Sequence, residues 1–119
     1  MNESNDKFIL TDILLEISRI REYELELVAT GWPHETARED SNYQSILFTL
    51  MKIGELVKKL SRSLRESNPS LEWEKIIGLR NKIVHAYKDI SENIIIDTLN
   101  QSLDSLQIFC SDYLQSQVG

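Results

Sequence analysis

The fold is decided by residues 43–65, YQSILFTLMKIGELVKKLSRSLR, in which apolar side chains recur every three or four positions. The apolar positions are Ile46, Leu47, Leu50, Ile53, Leu56, Val57, Leu60 and Leu64. This period places them on one face of an α-helix. The stretch therefore predicts a long amphipathic helix packed on another helix. Gly54 inside it costs roughly 1 kcal/mol relative to alanine, which hints at close approach by another helix or backbone.

The segment before this helix predicts a second long helix and a turn. Lys7 to about Ala29 has the helical period, with Asn5 or Asp6 as the cap. Thr30-Gly31-Trp32-Pro33 should end the helix, because glycine accepts a left-handed conformation and proline cannot extend it. Thr36-Ala37-Arg38-Glu39 has the form of a capping box, which predicts the start of a short helix or turn.

The segment after the central helix predicts two further helices. Ser67-Asn68-Pro69-Ser70 breaks the pattern, and Leu71 to Leu79 predicts a short helix before the segment that begins at Arg80. A final helix is predicted from Glu92 to about Leu114, capped by Ser91. The side chains expected to face inward are Trp73, Ile76, Ile77, Ile95, Leu99, Leu103, Leu106, Cys110 and Tyr113 or Leu114. The expected fold is an all-α, up-and-down bundle of about four to five helices.

The bulk composition limits the class of protein. With 119 residues, 41% hydrophobic and 27% charged, the chain fits one globular domain over residues 1–119. Its lone cysteine, Cys110, cannot form an internal disulfide and is expected to be a buried thiol. Neither a signal peptide nor an apolar run of membrane-spanning length is present in the sequence. We therefore expect a cytoplasmic protein without a membrane partner.

The charge distribution allows nucleic-acid binding despite the formal net charge of -6. Residues 1–50 carry a net -6 and residues 91–119 a net -4, whereas residues 51–90 carry nine basic and five acidic side chains. Clustered basic residues are what phosphate contacts require, although such residues often only solvate a helix face. The candidates for RNA contact are Lys58, Lys59, Arg62, Arg65 and Lys88.

Several familiar catalytic motifs are absent from the sequence. It has no glycine-rich phosphate loop, no zinc-binding cysteine pair, no HExxH and no GxSxG. One cysteine and two histidines are too few ligands for a typical structural zinc site. We expect chemistry without a metal or cofactor. His34, in a polar loop beside Pro33, is expected to be an ordinary surface residue.

The second histidine, His85, lies inside the basic region in the motif RNKIVHAY, which begins at Arg80. On a regular helix, Asn81 and His85 share one face, while Arg80 lies about 140° from His85 and shares another face with Tyr87. From the residues alone, the competing interpretation is structural: an ordinary helix with one polar face and one apolar face. Arg80 and His85 could meet at one phosphate if the helix is distorted, or if two copies meet across a two-fold axis.

Such a cleft would suit cleavage of the RNA backbone, in which the 2′-hydroxyl of the substrate is the nucleophile. A histidine can transfer the protons, and an arginine can stabilise the charge that develops on phosphorus. The expected product is a 2′,3′-cyclic phosphate, and DNA should survive because it lacks the 2′-hydroxyl.

The same residues resemble the Arg-x-x-x-x-His-x-Tyr motif of the HepT-type HEPN toxins. Other matches follow the order of that family's signatures, and the resemblance spans roughly residues 46 to 114. These matches are Ile53-Gly54-Glu55, Pro69, Trp73 and Ile76-Ile77-Gly78-Leu79. Residues Trp32 to Asn42 resemble the family only loosely. The combination is more specific than the Arg and His spacing alone.

The resemblance implies a homodimeric ribonuclease toxin of a type VII toxin–antitoxin pair. Arg80 and His85 would be catalytic, with Asn81 and Lys82 in support. Tyr87 would receive AMP from an MntA-type nucleotidyltransferase antitoxin, with which the homodimer could form a larger hetero-oligomer. Gly54 and Glu55 would be structural. The alternative is a non-catalytic, antitoxin-like helical subunit that scaffolds the nucleotidyltransferase, and a purely structural bundle is the third interpretation.

Overall fold

The protein is described by a computed structural model that covers residues 5–33 and 40–117. The described residues form helices joined by short turns, with no strand among them. The α-helices are α1 (Asp6–Ala29), α2 (Ser41–Lys59), α3 (Arg62–Ser67), α4 (Trp73–Ala86), α5 (Glu92–Asp97) and α6 (Leu103–Ser116). A 3₁₀ turn spans Tyr87–Asp89, and a π-helical turn, Thr98–Ser102, joins α5 to α6. The predicted all-α bundle is confirmed.

Helix α2 lies at the centre of the bundle. It packs against α1 and against α4, and α6 packs on α1. Its residues Ile46, Ile53 and Val57 are fully buried, as their helical period predicts. Burial of each such side chain contributes roughly 1.5–3 kcal/mol. Helices α2 and α4 run antiparallel, since Gly54 lies against Arg80 whereas the first half of α2 lies beside Tyr87.

The first helix has the predicted extent, but not the predicted cap. It ends where expected, and Gly31 adopts a φ of 102°, the left-handed conformation that glycine allows. Asn5 occupies the N-cap position without a side-chain hydrogen bond, so its predicted role is wrong. The carboxylate of Asp6 is buried and instead accepts hydrogen bonds from the backbone N–H and hydroxyl of Ser61, at 2.9 and 2.6 Å. This long-range contact occupies the carboxylate of Asp6, so Asp6 does not cap α1 either.

The predicted single helix from about Tyr43 to Arg65 is wrong only in its last six residues. Helix α2 ends at Lys59, and a separate short helix, α3, begins at Arg62. Ser61 causes the break, because its hydroxyl accepts from the backbone N–H of Leu64 at 3.2 Å and caps α3. Its bonds to Asp6 hold that turn against the start of α1.

Two further boundaries differ from the prediction. The predicted short helix from Leu71 to Leu79 is part of α4, which continues without interruption to Ala86 because the helical period extends through the motif. The predicted final helix is also not uniform, since the π turn adds one residue to a turn between α5 and α6. Ser91 caps α5 by accepting from the N–H of Asn93 at 3.2 Å, as predicted.

The predicted inward face of the last helix is confirmed. Ile95, Leu99, Leu103, Leu106 and Cys110 are all buried. Tyr113 and Leu114 are partly buried and pack against the same core. Burial raises the pKa of the Cys110 thiol to about 12, because the thiolate would lose its hydration.

Two sequence predictions fall outside the described residues. They are the capping box at residues 36–39 and the surface position of His34. Among the helices that the structure describes, none is both long and apolar enough to cross a membrane.

Candidate active site

Helix α4 carries the motif, and its beginning is fixed by side chains. The buried indole of Trp73 donates to the carbonyl of Asn68 at 2.9 Å and packs edge-on against Phe109, with 5.7 Å between ring centroids. Glu72, at the N-cap position, accepts from the hydroxyl of Ser102 at 2.7 Å. That bond is the main reason why the pKa of Glu72 is lowered; burial opposes the shift, and the charge of nearby Lys75 adds to it. The first turn of α4 is thus anchored to the last helix.

The middle of α4 makes an unusually close contact with α2 at Gly54. A Cβ atom at Gly54 would lie only 2.3 Å from Cβ and 2.9 Å from Cγ of Arg80. It would also lie 3.3 Å from the carbonyl oxygen of Ile76. The close approach that the glycine predicted is therefore confirmed, and its partner is the motif arginine.

Arg80 is held at this contact by two neighbours. Its Nε forms an ion pair with Oε1 of Glu55, and both atoms are buried. Its Nη1 donates to Oδ1 of Asn81 at 2.8 Å. Only 22% of the Arg80 side chain is exposed, compared with 41% of that of Glu55. The guanidinium therefore keeps Nη2 without a hydrogen bond to any residue that the structure describes.

His85 lies in the last turn of α4 and is exposed. No hydrogen bond or ion pair joins it to Arg80 or Asn81 within the described part of the chain. The helix is regular between Arg80 and His85, so the two side chains leave it about 140° apart. A single chain thus does not bring these two residues together, and the helical distortion considered from the sequence is absent between them.

Helix α4 ends at Ala86, whose φ of -156° and ψ of 46° are not helical. Tyr87 then begins the 3₁₀ turn and is 51% exposed. It lines a groove of about 370 Å³ between α2 and α4. The groove is lined by Gln44, Leu47, Phe48, Met51, Ile83, Val84 and Tyr87. Arg80 and Tyr87 therefore both face α2, as the helical period predicts.

Large apolar side chains are exposed beside the motif. Phe48 is 62% and Val84 45% exposed, and both line the groove that contains Tyr87. Patches of this kind often mark an interaction surface. We refer to Phe48, Val84 and Tyr87 as the apolar patch.

The predicted RNA-contact residues lie on several elements. Lys58 and Lys59 are exposed at the end of α2. Arg62 and Arg65 are on α3 rather than α2, and the Nε of Arg65 is buried without a partner among the described residues. Gly54 lies against Arg80, and α2 and α4 are antiparallel, so the two lysines and His85 lie on opposite sides of this contact. Along the helix axes they are on the order of 13 Å apart.

The remaining predicted basic residues lie closer to His85. Lys82 is exposed on α4, and Lys88 is exposed in the 3₁₀ turn. Within the described residues, no three histidine, cysteine or carboxylate side chains converge as metal ligands would.

Glu55 is the residue whose contact the sequence did not predict. It was expected to be structural as part of Ile53-Gly54-Glu55, whereas its carboxylate binds the arginine of the motif. A signal was present in the sequence. Gly54 predicted a close neighbouring helix, although it did not identify Arg80 as the residue that Glu55 contacts.

The all-helical bundle and the Arg80, His85 and Tyr87 motif together define a class of protein. A model of the HepT-like ribonuclease family matches residues 13–113. This match covers most of the chain and includes the whole motif, so the protein belongs to the HepT-like ribonuclease family.

Individual relatives align with about half of the chain. A protein described as a candidate RNase from Caldanaerobacter subterraneus subsp. tengcongensis is 32% identical over 65 residues, which are 55% of this chain and 58% of the relative. One with the same description from Methanocaldococcus jannaschii is 25% identical over 53% of this chain and 54% of its own length. A protein named probable ribonuclease HepT from Thermococcus cleftensis is 26% identical over 53% and 57%.

The chain thus spans about half the length of the curated relatives it matches. No solved structure matches it.

Proposed function

We propose that this protein is a metal-independent endoribonuclease that acts as the toxin of a type VII toxin–antitoxin pair. The observation that carries the proposal is the placement of Arg80. Its guanidinium is fixed at the α2–α4 contact by Glu55 and Asn81, on the helix that exposes His85 in its last turn. Membership of the HepT-like ribonuclease family supports the same activity.

The proposed reaction uses the 2′-hydroxyl of RNA as the nucleophile. An imidazole of His85 takes the proton as the 2′-oxygen bonds to phosphorus, and the bond to the 5′-oxygen breaks. The leaving oxygen is protonated by an imidazolium, so the products are a 2′,3′-cyclic phosphate and a 5′-hydroxyl. Arg80 stabilises the negative charge on the non-bridging oxygens. Asn81 and Lys82 support the arginine and the phosphate.

A homodimer is part of the proposal, because one chain separates Arg80 from His85. Phe48 and Val84 of the apolar patch would supply the surface for a second copy, with Tyr87 at its edge and its hydroxyl still accessible, and a two-fold axis near it would bring two α4 ends into one cleft. Lys58, Lys59, Arg62, Arg65 and Lys88 would then contact the phosphates that flank the scissile one. In such a dimer, Arg80 and His85 side chains from the two copies would face one cleft, which a single chain does not achieve.

Regulation is proposed at Tyr87. Its exposed ring makes the hydroxyl accessible to an MntA-type nucleotidyltransferase antitoxin. Attack of the tyrosine oxygen on the α-phosphate of ATP would release pyrophosphate and leave AMP on the residue. The added negative charge and bulk would then exclude RNA from the cleft.

A second candidate is the non-catalytic subunit that scaffolds the nucleotidyltransferase. The exposed apolar patch also supports this candidate, because a protein partner could cover it as well as a second copy could. The two candidates differ in whether the protein cleaves RNA with His85 as a catalytic residue or does not cleave RNA.

Cleavage of labelled RNA by the protein purified without a partner, in EDTA, tests the proposal. The variants are His85→Ala and, as a matched exposed position, Gln115→Ala on α6. Intact mass excludes prior modification, and a DNA strand of the same sequence controls for the 2′-hydroxyl. We expect cleavage of RNA by the wild type and Gln115→Ala only, with a cyclic phosphate end.

Two results would contradict the proposal. Absence of cleavage by clean, unmodified protein would favour the scaffold candidate. Equal cleavage by His85→Ala would remove the histidine from the reaction. Loss of helical signal in that variant would instead point to a structural role for His85.

A further inference from the structure

The side chain of Arg80 is restricted near its backbone by Gly54. A Cβ atom at Gly54 would lie 2.3 Å from Cβ of Arg80, so no alanine-sized group fits between the two helices. The first part of the arginine side chain is therefore pressed against α2. The outer part of the Arg80 side chain can still adopt several rotamers, so a further contact is needed to fix the guanidinium.

Glu55, the next residue on α2, is placed to do so. It meets Arg80 at Nε, the nitrogen nearest the backbone, and both interacting atoms are shielded from solvent. Asn81 accepts from Nη1 at 2.8 Å. Of the three guanidinium nitrogens, two are thus engaged by the protein, and Nη2 has no hydrogen bond to the described residues.

We propose that Glu55 is a positioning residue for the reaction, which fixes the guanidinium of Arg80 so that its Nη2 edge is presented to the scissile phosphate. This inference rests on the proposed ribonuclease function. Donors that are oriented before the reaction stabilise a developing charge better than donors that must be ordered during it. Glu55 therefore acts through Arg80 and does not touch RNA.

Glu55 could instead compete with RNA for Arg80, and this alternative predicts the opposite change in activity when Glu55 is removed. A carboxylate beside the arginine reduces its attraction for phosphate, so removal of Glu55 would then tighten RNA binding and raise activity. Positioning predicts a lower kcat with little change in KM, because an interaction that matters in the transition state has been lost. Charge competition predicts a lower KM.

The test uses Glu55→Ala and Glu55→Gln, with Glu22→Ala as a control that removes one exposed carboxylate from α1. Cleavage of one defined RNA is measured in EDTA. We expect kcat of Glu55→Ala to fall about 10- to 100-fold with KM within about threefold, as for other residues that orient a functional group. Glu55→Gln should recover most of kcat, since its amide oxygen can occupy the same position beside Nε as the carboxylate oxygen does. Glu22→Ala should match the wild type.

A second measurement does not depend on activity. Exchange of the Arg80 Nε–H with solvent, followed by NMR on the full chain, should be slow in the wild type, slightly faster in Glu55→Gln and fast in Glu55→Ala. Thermal unfolding of each variant separates a positioning effect from loss of the fold.

The outcomes distinguish this inference from the proposed function. An active wild type with unchanged kcat in Glu55→Ala overturns the positioning role alone, and increased activity overturns it in favour of charge competition. An inactive wild type overturns the ribonuclease and, with it, the catalytic meaning of Glu55. In that case the exchange rates still decide whether Glu55 holds Arg80.

Discussion

The two ends of the motif have contrasting surroundings. At Arg80, α4 approaches α2 so closely that only glycine fits at position 54, and the side chain is fixed by an ion pair. Five residues later His85 is exposed, and the helix ends beside the apolar patch. The group that would bind phosphate is thus held between two helices with 22% of its side chain exposed, whereas the group that would move protons is exposed and has no contact with Arg80 among the described residues. Substitutions at the two ends should therefore differ in kind.

The largest effect is expected at Tyr87, near the exposed His85 end of the motif. Tyr87→Phe keeps the ring in the groove but removes the oxygen that would receive AMP. The variant should cleave RNA and stop cell growth as the wild type does, while co-expression of the nucleotidyltransferase no longer rescues growth. Intact mass after incubation with the partner and ATP should show an adenylyl group on the wild type only. Persistent rescue would mean that the partner acts by binding or at another residue.

The next largest effect is expected at Phe48, which is 62% exposed in the apolar patch. Phe48→Glu places a charge on the surface proposed to meet a second copy. We expect the dissociation constant of the dimer to rise at least about tenfold, or 1.4 kcal/mol, with cleavage falling in parallel. Light scattering over a concentration series measures both states.

The matched control for Phe48 is Leu25→Glu, an apolar residue of α1 that is 73% exposed. It should leave both the dimer and cleavage unchanged. The stability of either folded chain should change by less than about 0.5 kcal/mol, since neither side chain is in the core. A monomer that cleaves as well as the dimer would remove the need for a second copy.

The Arg80 end of the motif is tested by substitution of two glycines, Gly54 on α2 and Gly78 on α4. Gly54→Ala should lower the free energy of unfolding by about 2 kcal/mol, because its Cβ meets the Cβ of Arg80 and the helices must separate. Gly78→Ala on α4 meets no atom within 4 Å and should raise stability by about 0.5–1 kcal/mol. Urea unfolding measures both. Equal effects of the two substitutions would contradict the close contact.

Local patterns predicted most of the fold. The helical period identified the core of α2 and of the last helix, and the propensity cost of Gly54 predicted a close neighbour. The break after Lys59 was not predictable in this way, because Ser61 depends on Asp6, which is 55 residues away in sequence. The π turn also escaped prediction, since spacings of three and four residues between buried positions tolerate one wider turn.

The candidate site divides in the same manner. The motif residues were identified by their resemblance to the HepT-type motif, and the shared direction of Arg80 and Tyr87 followed from the helical period. The contact between Glu55 and Arg80 did not, because it joins two helices whose relative register no local pattern specifies. The separation of Arg80 from His85 was predicted from 100° per residue, and its resolution by a second copy stays a prediction.

The smallest effect is expected at the start of α4, where Ser102 donates to Glu72. The pKa of Glu72 is lowered below its usual 4.5, chiefly by this hydrogen bond. At acidic pH the unfolded chain therefore binds this proton more readily than the folded one does, so the contribution is complete above pH 4.5 and is lost as the pH falls through the folded pKa. Ser102→Ala should remove most of that dependence.

We expect the pH-dependent part to be less than about 1 kcal/mol, because the Glu72 side chain is 43% exposed and screened by solvent. Urea unfolding of wild type and Ser102→Ala between pH 3 and pH 7 should give curves that differ most near neutrality and converge in acid. Ser116→Ala is the matched control, since that hydroxyl donates to the carbonyl of Tyr113 rather than to a carboxylate. Its offset from the wild type should not change with pH. A constant offset for Ser102→Ala as well would mean that the hydroxyl fills space beside α4 without stabilising the charge of Glu72.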